Sequence, residues 1–320
     1  MNSINPSRPK EVVAVVDVGS NTTKLLVARR CKKNEIEVLH EKSLHARLGG
    51  GIVNGTCFLS EDSMVVAEHA ILGLLEEAFR FSPLKVRLVA TGAVRFASNG
   101  DDFAVRVENA TKYPLNVLSG QQEAEGIAVG LGTDPEISGR EEFIACDIGG
   151  GSLELIHFDQ GSLRKIDSLP LGAIRLTQKH VADPRLKLNK AEVRAIVRDV
   201  EDSLRQSDFS STKPCEVIVA TGGAFVATRA ILAHREGIAF DQLNLIDRSE
   251  IELLSEAMSS LSLEDRVKSF PSLPANRADI MPAALHCIFC IMNHFEGQKI
   301  LNSLRNLRYG QAAKLLGIAE

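Results

Sequence analysis

The sequence predicts an α/β protein built from two related halves. Apolar strand-like runs alternate with amphipathic helical ones along the chain, the pattern of α/β architecture. Two motifs also occur twice. Asp17-Val18-Gly19-Ser20-Asn21-Thr22-Thr23-Lys24-Leu25-Leu26 aligns without a gap with Asp147-Ile148-Gly149-Gly150-Gly151-Ser152-Leu153-Glu154-Leu155-Ile156, and Val89-Ala90-Thr91-Gly92 recurs as Val219-Ala220-Thr221-Gly222. From 17 to 147 and from 91 to 221 the offset is 130 residues in both cases, the mark of an internal duplication. A length of 320 residues leaves room for two domains.

In the first half, Val12 to Val18, Thr23 to Arg29 and Ile36 to Ser43 read as strands, and their closeness in sequence predicts antiparallel pairing. Ser60 to Phe81 carries apolar residues at 64, 67, 71, 74, 75 and 78 behind a Ser N-cap, which predicts a helix. Val86 to Ala90 follows as a short buried strand. Val117-Leu118 then runs into a helix whose Ser119 and Gln122 have the capping-box spacing. The second half repeats the order, with strands around 142–148, 153–159 and 162–169, helices near 172–182 and 189–207, and a strand at 216–220. The breaker-rich Asp134-Pro135-Glu136-Ile137-Ser138-Gly139 separates the halves, so the expected domains are 1–133 and 134–302. Helical patterns at 278–296 and 305–317 fit either domain.

Lys and Arg number 37 against 41 Asp and Glu, a net charge of −4. No basic excess points to nucleic acid or an anionic membrane, so a polyanionic ligand has to be held locally. The N-terminal stretch lacks a signal-peptide pattern, and the most apolar run, Met281 to Phe295, is too short to span a bilayer. The expectation is a cytoplasmic protein. Its six cysteines are read as reduced thiols, and Cys287 and Cys290, although they form a CxxC, as core packing on a buried helix.

A Gly-rich turn between strands exposes consecutive backbone N–H groups that an anion can approach closely, and phosphate is the natural ligand. Gly149, Gly150, Gly151 and Ser152 offer this in the second half, and Gly19, Ser20, Asn21 and Thr22 in the first. An isolated GGG would read as a tight hairpin; the duplicated Asp before each turn favours the phosphate reading. Asp17 and Asp147 each end an apolar strand, where a carboxylate needs a cation or a set of donors. Asp147 with Glu154 across the turn makes a candidate Mg²⁺ site, the competing reading being Asx-type capping. Glu123 falls in the first turns of a helix, where a carboxylate can orient or deprotonate a water attacking phosphate, or simply face the helix dipole; Glu125 is its rival. Arg95, just past a buried strand, can reach a phosphate bidentately, the competing reading being a solvated Arg at a helix start. There is no Walker lysine motif, nucleophile elbow or dinucleotide fingerprint.

These residues resemble the exopolyphosphatase/guanosine pentaphosphate phosphohydrolase (Ppx/GppA) family of the actin-like ATPase superfamily. The likeness runs through Val15-Val16-Asp17-Val18-Gly19-Ser20-Asn21, Ala90-Thr91-Gly92-Ala93-Val94-Arg95, Leu118-Ser119-Gly120-Gln121-Gln122-Glu123-Ala124 and Asp147 to Glu154. It continues through Leu169-Pro170-Leu171-Gly172-Ala173-Ile174-Arg175-Leu176, Ala220-Thr221-Gly222-Gly223, Asn276-Arg277-Ala278-Asp279-Ile280-Met281-Pro282-Ala283, and Ser303 with Leu307-Arg308-Tyr309-Gly310.

The resemblance implies two duplicated actin-like (ribonuclease H-like) domains with the active site in the cleft between them, in the short two-domain form. It implies magnesium-assisted removal of terminal phosphate from inorganic polyphosphate, guanosine pentaphosphate or both, by a homodimer. Glu123 falls on the family's catalytic glutamate, Asp147 and Glu154 on its acidic metal and phosphate positions, with Asp17 the duplicated carboxylate. Gly149 to Ser152, Ser20, Asn21 and Arg95 fall on its phosphate loops, and the last helix, 303–320, is expected back on the first domain. The chain departs from the family at Gln122, Ala224, Arg305 and Tyr309. Two alternatives share the fold: an acetate- or sugar-kinase-like phosphotransferase, and a non-catalytic sensor of guanosine tetra- or pentaphosphate.

Overall fold

The computed structural model describes residues 11–31, 35–49, 52–53, 56–137, 139–160, 162–209 and 214–319. The start of the expected first domain, Ser138 of the expected boundary and Glu320 lie outside the described residues.

Two large sheets organise the described residues, beside a two-stranded one that pairs Ile52–Val53 with Thr56–Cys57. The first runs, in spatial order, Ile36–His45, Thr22–Arg30, Val12–Val18, Lys85–Ala90 and Leu115–Val117. The second runs Ser162–Leu169, Leu153–Asp159, Phe143–Ile148, Val217–Thr221, Lys299–Asn302 and Leu245–Asp247. In each, three sequence-adjacent strands pair antiparallel, as their closeness predicts, and the central strand then pairs parallel with one returning from a helical crossover. Val13 to Val16 are fully buried because helices cover both faces, which is why this strand reads as an unbroken apolar run.

The expected helix after Ser60 spans Glu61–Phe79, with the Ser60 side chain accepting from Ser63 N, and buries Ala67, Ile71, Leu74 and Ala78 on one face. Helix Gly120–Gly132 begins at Ser119 with both arms of the capping box in place, Gln122 supplying the second. This helix lies between the sheets, packing Ala124, Ile127 and Leu131 against Phe143, Ile156 and Val219 of the second sheet and Val89 of the first.

Several elements exceeded the pattern in the sequence, helices Gly100–Thr111 and Arg248–Ser260 among them. Helix Gly223–Glu236 follows Gly222, and Lys299–Asn302 inserts into the second sheet between Val217–Thr221 and Leu245–Asp247. Four and three residues are too short for alternation to register. The chain then crosses over, and helix Leu307–Leu315 packs Tyr309, Ala312 and Ala313 on Val13, Val15, Leu26 and Ala28 of the first sheet. It crosses helix Gly120–Gly132 at backbone contact: a Cβ on Gly310 would lie 1.8 Å from the Gly126 carbonyl oxygen, and one on Gly130 2.2 Å from that of Asn306. Only glycine permits that approach.

Candidate active site

Each duplicated turn is closed by the same bond, Gly19 N to Thr22 O at 3.1 Å and Gly149 N to Ser152 O at 3.0 Å. The turns meet face to face: a Cβ on Gly150 would stand 2.6 Å from that of Ser20. Behind the second turn, helix Ala173–His180 donates Ala173 N to Gly149 O and Ile174 N to Gly150 O, both at 3.0 Å, fixing the loop's shape. A cavity of about 80 Å³ opens between the turns, lined by Gly19, Ser20, Asn21, Thr22, Gly149, Gly150, Gly151 and Ser152, with Asp17, Asp147 and Glu123. The structure therefore gathers every turn residue singled out from the sequence.

Glu123 reaches the cavity from the first turn of helix Gly120–Gly132 and is only 8% exposed. Arg95 Nη1 donates to its Oε2 at 2.6 Å and to the Leu118 carbonyl at 2.9 Å, while Nη2 donates to Ser152 Oγ at 3.3 Å. Burial pushes the Glu123 carboxyl up to about 7, against the pull of Arg95. Glu125, the rival in sequence, accepts from Gln121 Nε2 at 3.0 Å away from the cavity. Helical geometry separates the two: residues two apart do not share a face.

Arg95 and Glu154 stand one layer back from where the sequence placed them, since neither lines the cavity. The Arg95 guanidinium is engaged by Glu123 and Ser152 rather than facing the gap between the turns. Glu154 is 1% exposed, accepts from Ser168 Oγ at 2.9 Å and lies 3.9 Å from Arg95 Nη2. Its burial holds the carboxyl well above the usual range.

Beside Glu123, the cavity carries two further carboxylates, Asp17 and Asp147. Burial raises both, Asp147 to about 6, and Lys24 opposes the shift in each. Asp17 Oδ1 is buried with no hydrogen-bond partner. Gly222, at φ +103°, passes so close that a Cβ there would lie 2.2 Å from Asp147 Oδ1. Two hard oxygen donors, one unsatisfied, fit Mg²⁺, which takes one or two carboxylates and completes its shell with water and phosphate oxygens. Among the described residues no group of three or more His, Cys, Asp or Glu is arranged around a common centre.

Two cations at the cavity were not singled out from the sequence. Lys24 pairs in register with Asp17 across the strands, and burial lowers its ammonium to about 8. Arg277 leans over the start of helix Gly223–Glu236, where a Cβ on Gly223 would meet its Nη2 at 2.3 Å, and burial lowers its pKa too. The signal for Lys24 was the repeat itself, since it occupies the position matching Glu154. Arg277 had none beyond its place in a matched motif. The cavity widens past both into a pocket of about 320 Å³, with His45 and Arg308 on one wall and Val226, Ala230, Pro274 and Leu304 on the other. Arg47 pairs with Asp279 from one lobe to the other, and Gln178 Nε2 reaches the Gly49 carbonyl at 3.3 Å.

Two α/β sheets with duplicated turns facing a cleft define a two-domain actin-like protein. The model of the Ppx/GppA phosphatase family matches residues 26–317, and the chain belongs to that family. Solved structures agree on the fold. The Aquifex aeolicus Ppx/GppA family member superposes with a TM-score of 0.78 at 24% identity, over 98% of this chain and 100% of that one. An exopolyphosphatase from Cytophaga hutchinsonii gives a TM-score of 0.85 at 22% identity, over 97% and 99%. Among the described residues no helix is long and apolar enough to cross a membrane.

Proposed function

We propose that this protein is a phosphoanhydride hydrolase that removes the terminal phosphate of inorganic polyphosphate, guanosine pentaphosphate or both. The observation that carries the reading is Glu123: a buried carboxylate, held by Arg95 at 2.6 Å, beside two opposed turns that line one cavity. Membership of a phosphatase family supports it.

The terminal phosphoryl group lies between Gly19–Thr22 and Gly149–Ser152, its oxygens accepting from the turns' backbone N–H groups. Such donors are fixed before reaction and cost no reorganisation as charge develops. Glu123 orients the attacking water and takes its proton; a carboxyl near 7 is matched to that task at neutral pH. Attack is in line, so the leaving group lies opposite, toward Lys24 and Arg277, whose charges hold it. Arg95 fixes the Glu123 rotamer through its fork to Glu123 and Ser152. Asp17 and Asp147 would hold Mg²⁺, which when bound offsets negative charge on the transferring group. A cytoplasmic homodimer, with lobes comprising 1–133 plus 303–320 and 134–302, belongs to the same proposal.

The test is phosphate release by the purified protein with Mg²⁺, comparing long polyphosphate, short polyphosphate and guanosine pentaphosphate at matched terminal concentration, with Glu123→Gln alongside. Release that depends on Glu123 supports the hydrolase and ranks the substrates. A folded protein that binds all three and releases nothing would leave a sensor; Glu123→Gln acting at the wild-type rate would sink the mechanism.

A further inference from the structure

The cleft has two ends. The wide one, about 320 Å³, shares Lys24, Gly223 and Arg277 with the central cavity and has room for the bulk of a substrate. At the other end a separate cavity of about 20 Å³ lies behind a wall formed by Ser20, Gly92, Gly150 and Gly151, the same residues that line the central cavity on that side. It holds about one water and is too small for phosphate as it stands.

Arg175 lines this small cavity. Its guanidinium stacks on the Phe96 ring at 4.5 Å, and its backbone N donates to Gly150 O at 3.2 Å, so it moves with the second turn. Nη1 is nevertheless buried with no hydrogen-bond partner. Leaving a charged donor unsatisfied in the interior is costly, and a guanidinium is the side chain that best forks onto phosphate oxygens. The wall in front of it is thin. Three of its residues have no side chain, and a Cβ on Gly92 would already be 3.4 Å from Gly151 Cα. It is also a seam, with Ser20 and Gly92 from one lobe and Gly150 and Gly151 from the other, tied nearby by the 3.3 Å bond from Gln178 to Gly49.

We propose that this seam is a dedicated exit for the released phosphate ion, with Arg175 as its first docking point. The inference rests on the hydrolase reading above. With the leaving group toward the wide end, phosphate forms on the Glu123 side, next to Gly92, Gly151 and Ser152, and the rest of the substrate blocks its way back. A small parting of the turns lets Arg175 take the ion while the shortened substrate stays bound. Phosphate therefore leaves first.

The experiment uses the full chain with Mg²⁺ and whichever substrate it hydrolyses fastest. Quenched samples measure phosphate formed, and a fluorescent phosphate-binding reporter measures phosphate free in solution. In the wild type, formation and release are expected to coincide, and added inorganic phosphate to inhibit noncompetitively with respect to substrate. In Arg175→Ala, single-turnover formation is expected unchanged while release lags by about tenfold, giving a burst of bound phosphate; Arg175→Lys restores part of the rate. Release in step with formation in Arg175→Ala, or purely competitive inhibition of the wild type by phosphate, overturns the exit and leaves the hydrolase standing. The wild-type inhibition pattern decides this even where Arg175→Ala fails to fold. Absence of phosphate from the quenched wild-type samples overturns the hydrolase, and the exit with it.

Discussion

The turn at Gly19–Thr22 and the turn at Gly149–Ser152 share a backbone and differ in almost every side chain. Both follow an Asp, both close through a Gly N–H to the fourth residue at about 3 Å, and both look onto one cavity. The first carries Ser20, Asn21 and Thr22, whereas the second has glycine at the two matching positions before Ser152. Across the following strand, Lys24 faces Asp17 where Glu154 faces Asp147. Duplication thus supplied a symmetric frame of backbone turns, and divergence polarised it. One copy places a cation at the cavity; the other places a second carboxylate behind it, against Arg95 and, through Arg95, Glu123. The glycines of the second copy let Ser20 of the first and helix Ala173–His180 close on it. The proposed hydrolysis needs that polarity, with one side for the water and another for the leaving group.

The largest effect is expected where the frame acts as a whole. Glu123→Gln should lower kcat by about 100- to 10,000-fold with little change in KM, measured by steady-state phosphate release. Next comes a pair that sets the copies against each other. Gly222→Ala puts a methyl 2.2 Å from Asp147 Oδ1 at a φ of +103°, so it should cost about 1–3 kcal/mol in denaturant unfolding and displace that carboxylate, with most activity lost. The matching Gly92→Ala meets nothing closer than 3.4 Å and should keep near-normal stability; equal losses would mean the copies are not differently packed.

Asp17→Asn and Asp147→Asn should each raise the magnesium concentration for half-maximal activity by about 10-fold or more. A change in one alone would assign the ion to a single copy. Lys24→Met should raise KM by roughly tenfold, about 1.4 kcal/mol, with a smaller change in kcat, because the cation holds the leaving group.

The smallest effect is on stability. Glu123 has its carboxyl raised to about 7 in the folded protein, so the folded state binds the proton more tightly than the unfolded chain does. Its contribution to stability is present at acid pH and is lost as pH rises through about 7. The Tm of Glu123→Gln should therefore gain on that of the wild type between pH 4 and pH 8, while wild-type kcat falls as pH drops below about 7; a constant Tm difference would contradict a raised Glu123.

Much of this was legible because it is written locally. The strands at 12–18, 153–159 and 162–169, the capped helices after Ser60 and Ser119 and the helix near 189–207 follow from periodicity, capping and spacing that each segment carries alone. The turn residues were legible because the chain states them twice. Arg95 and Glu154 were named, but their partners were not: the ion pair with Glu123 spans 28 residues, and the bond from Ser168 joins separate strands. Lys24 looked like any strand lysine. Its lowered pKa comes from burial first, and then from the charges of Arg308 and Arg277, which arrive from the far end of the chain.

The sequence by itself determined the two halves, the paired turns and the place of Glu123 in the first turn of a capped helix, with Glu125 as its rival, since repeat, turn chemistry and helix capping are properties of neighbouring residues. Only the tertiary structure decided that Arg95 holds Glu123, that Asp17 and Asp147 rather than Glu154 front the cavity, and that Arg277 lines it while Arg175 lines the small cavity behind its wall. Those facts depend on which lobe each side chain meets, and that is set by the crossing of helix Leu307–Leu315 over Gly120–Gly132 and by glycines whose need for closeness appears only once the backbones touch.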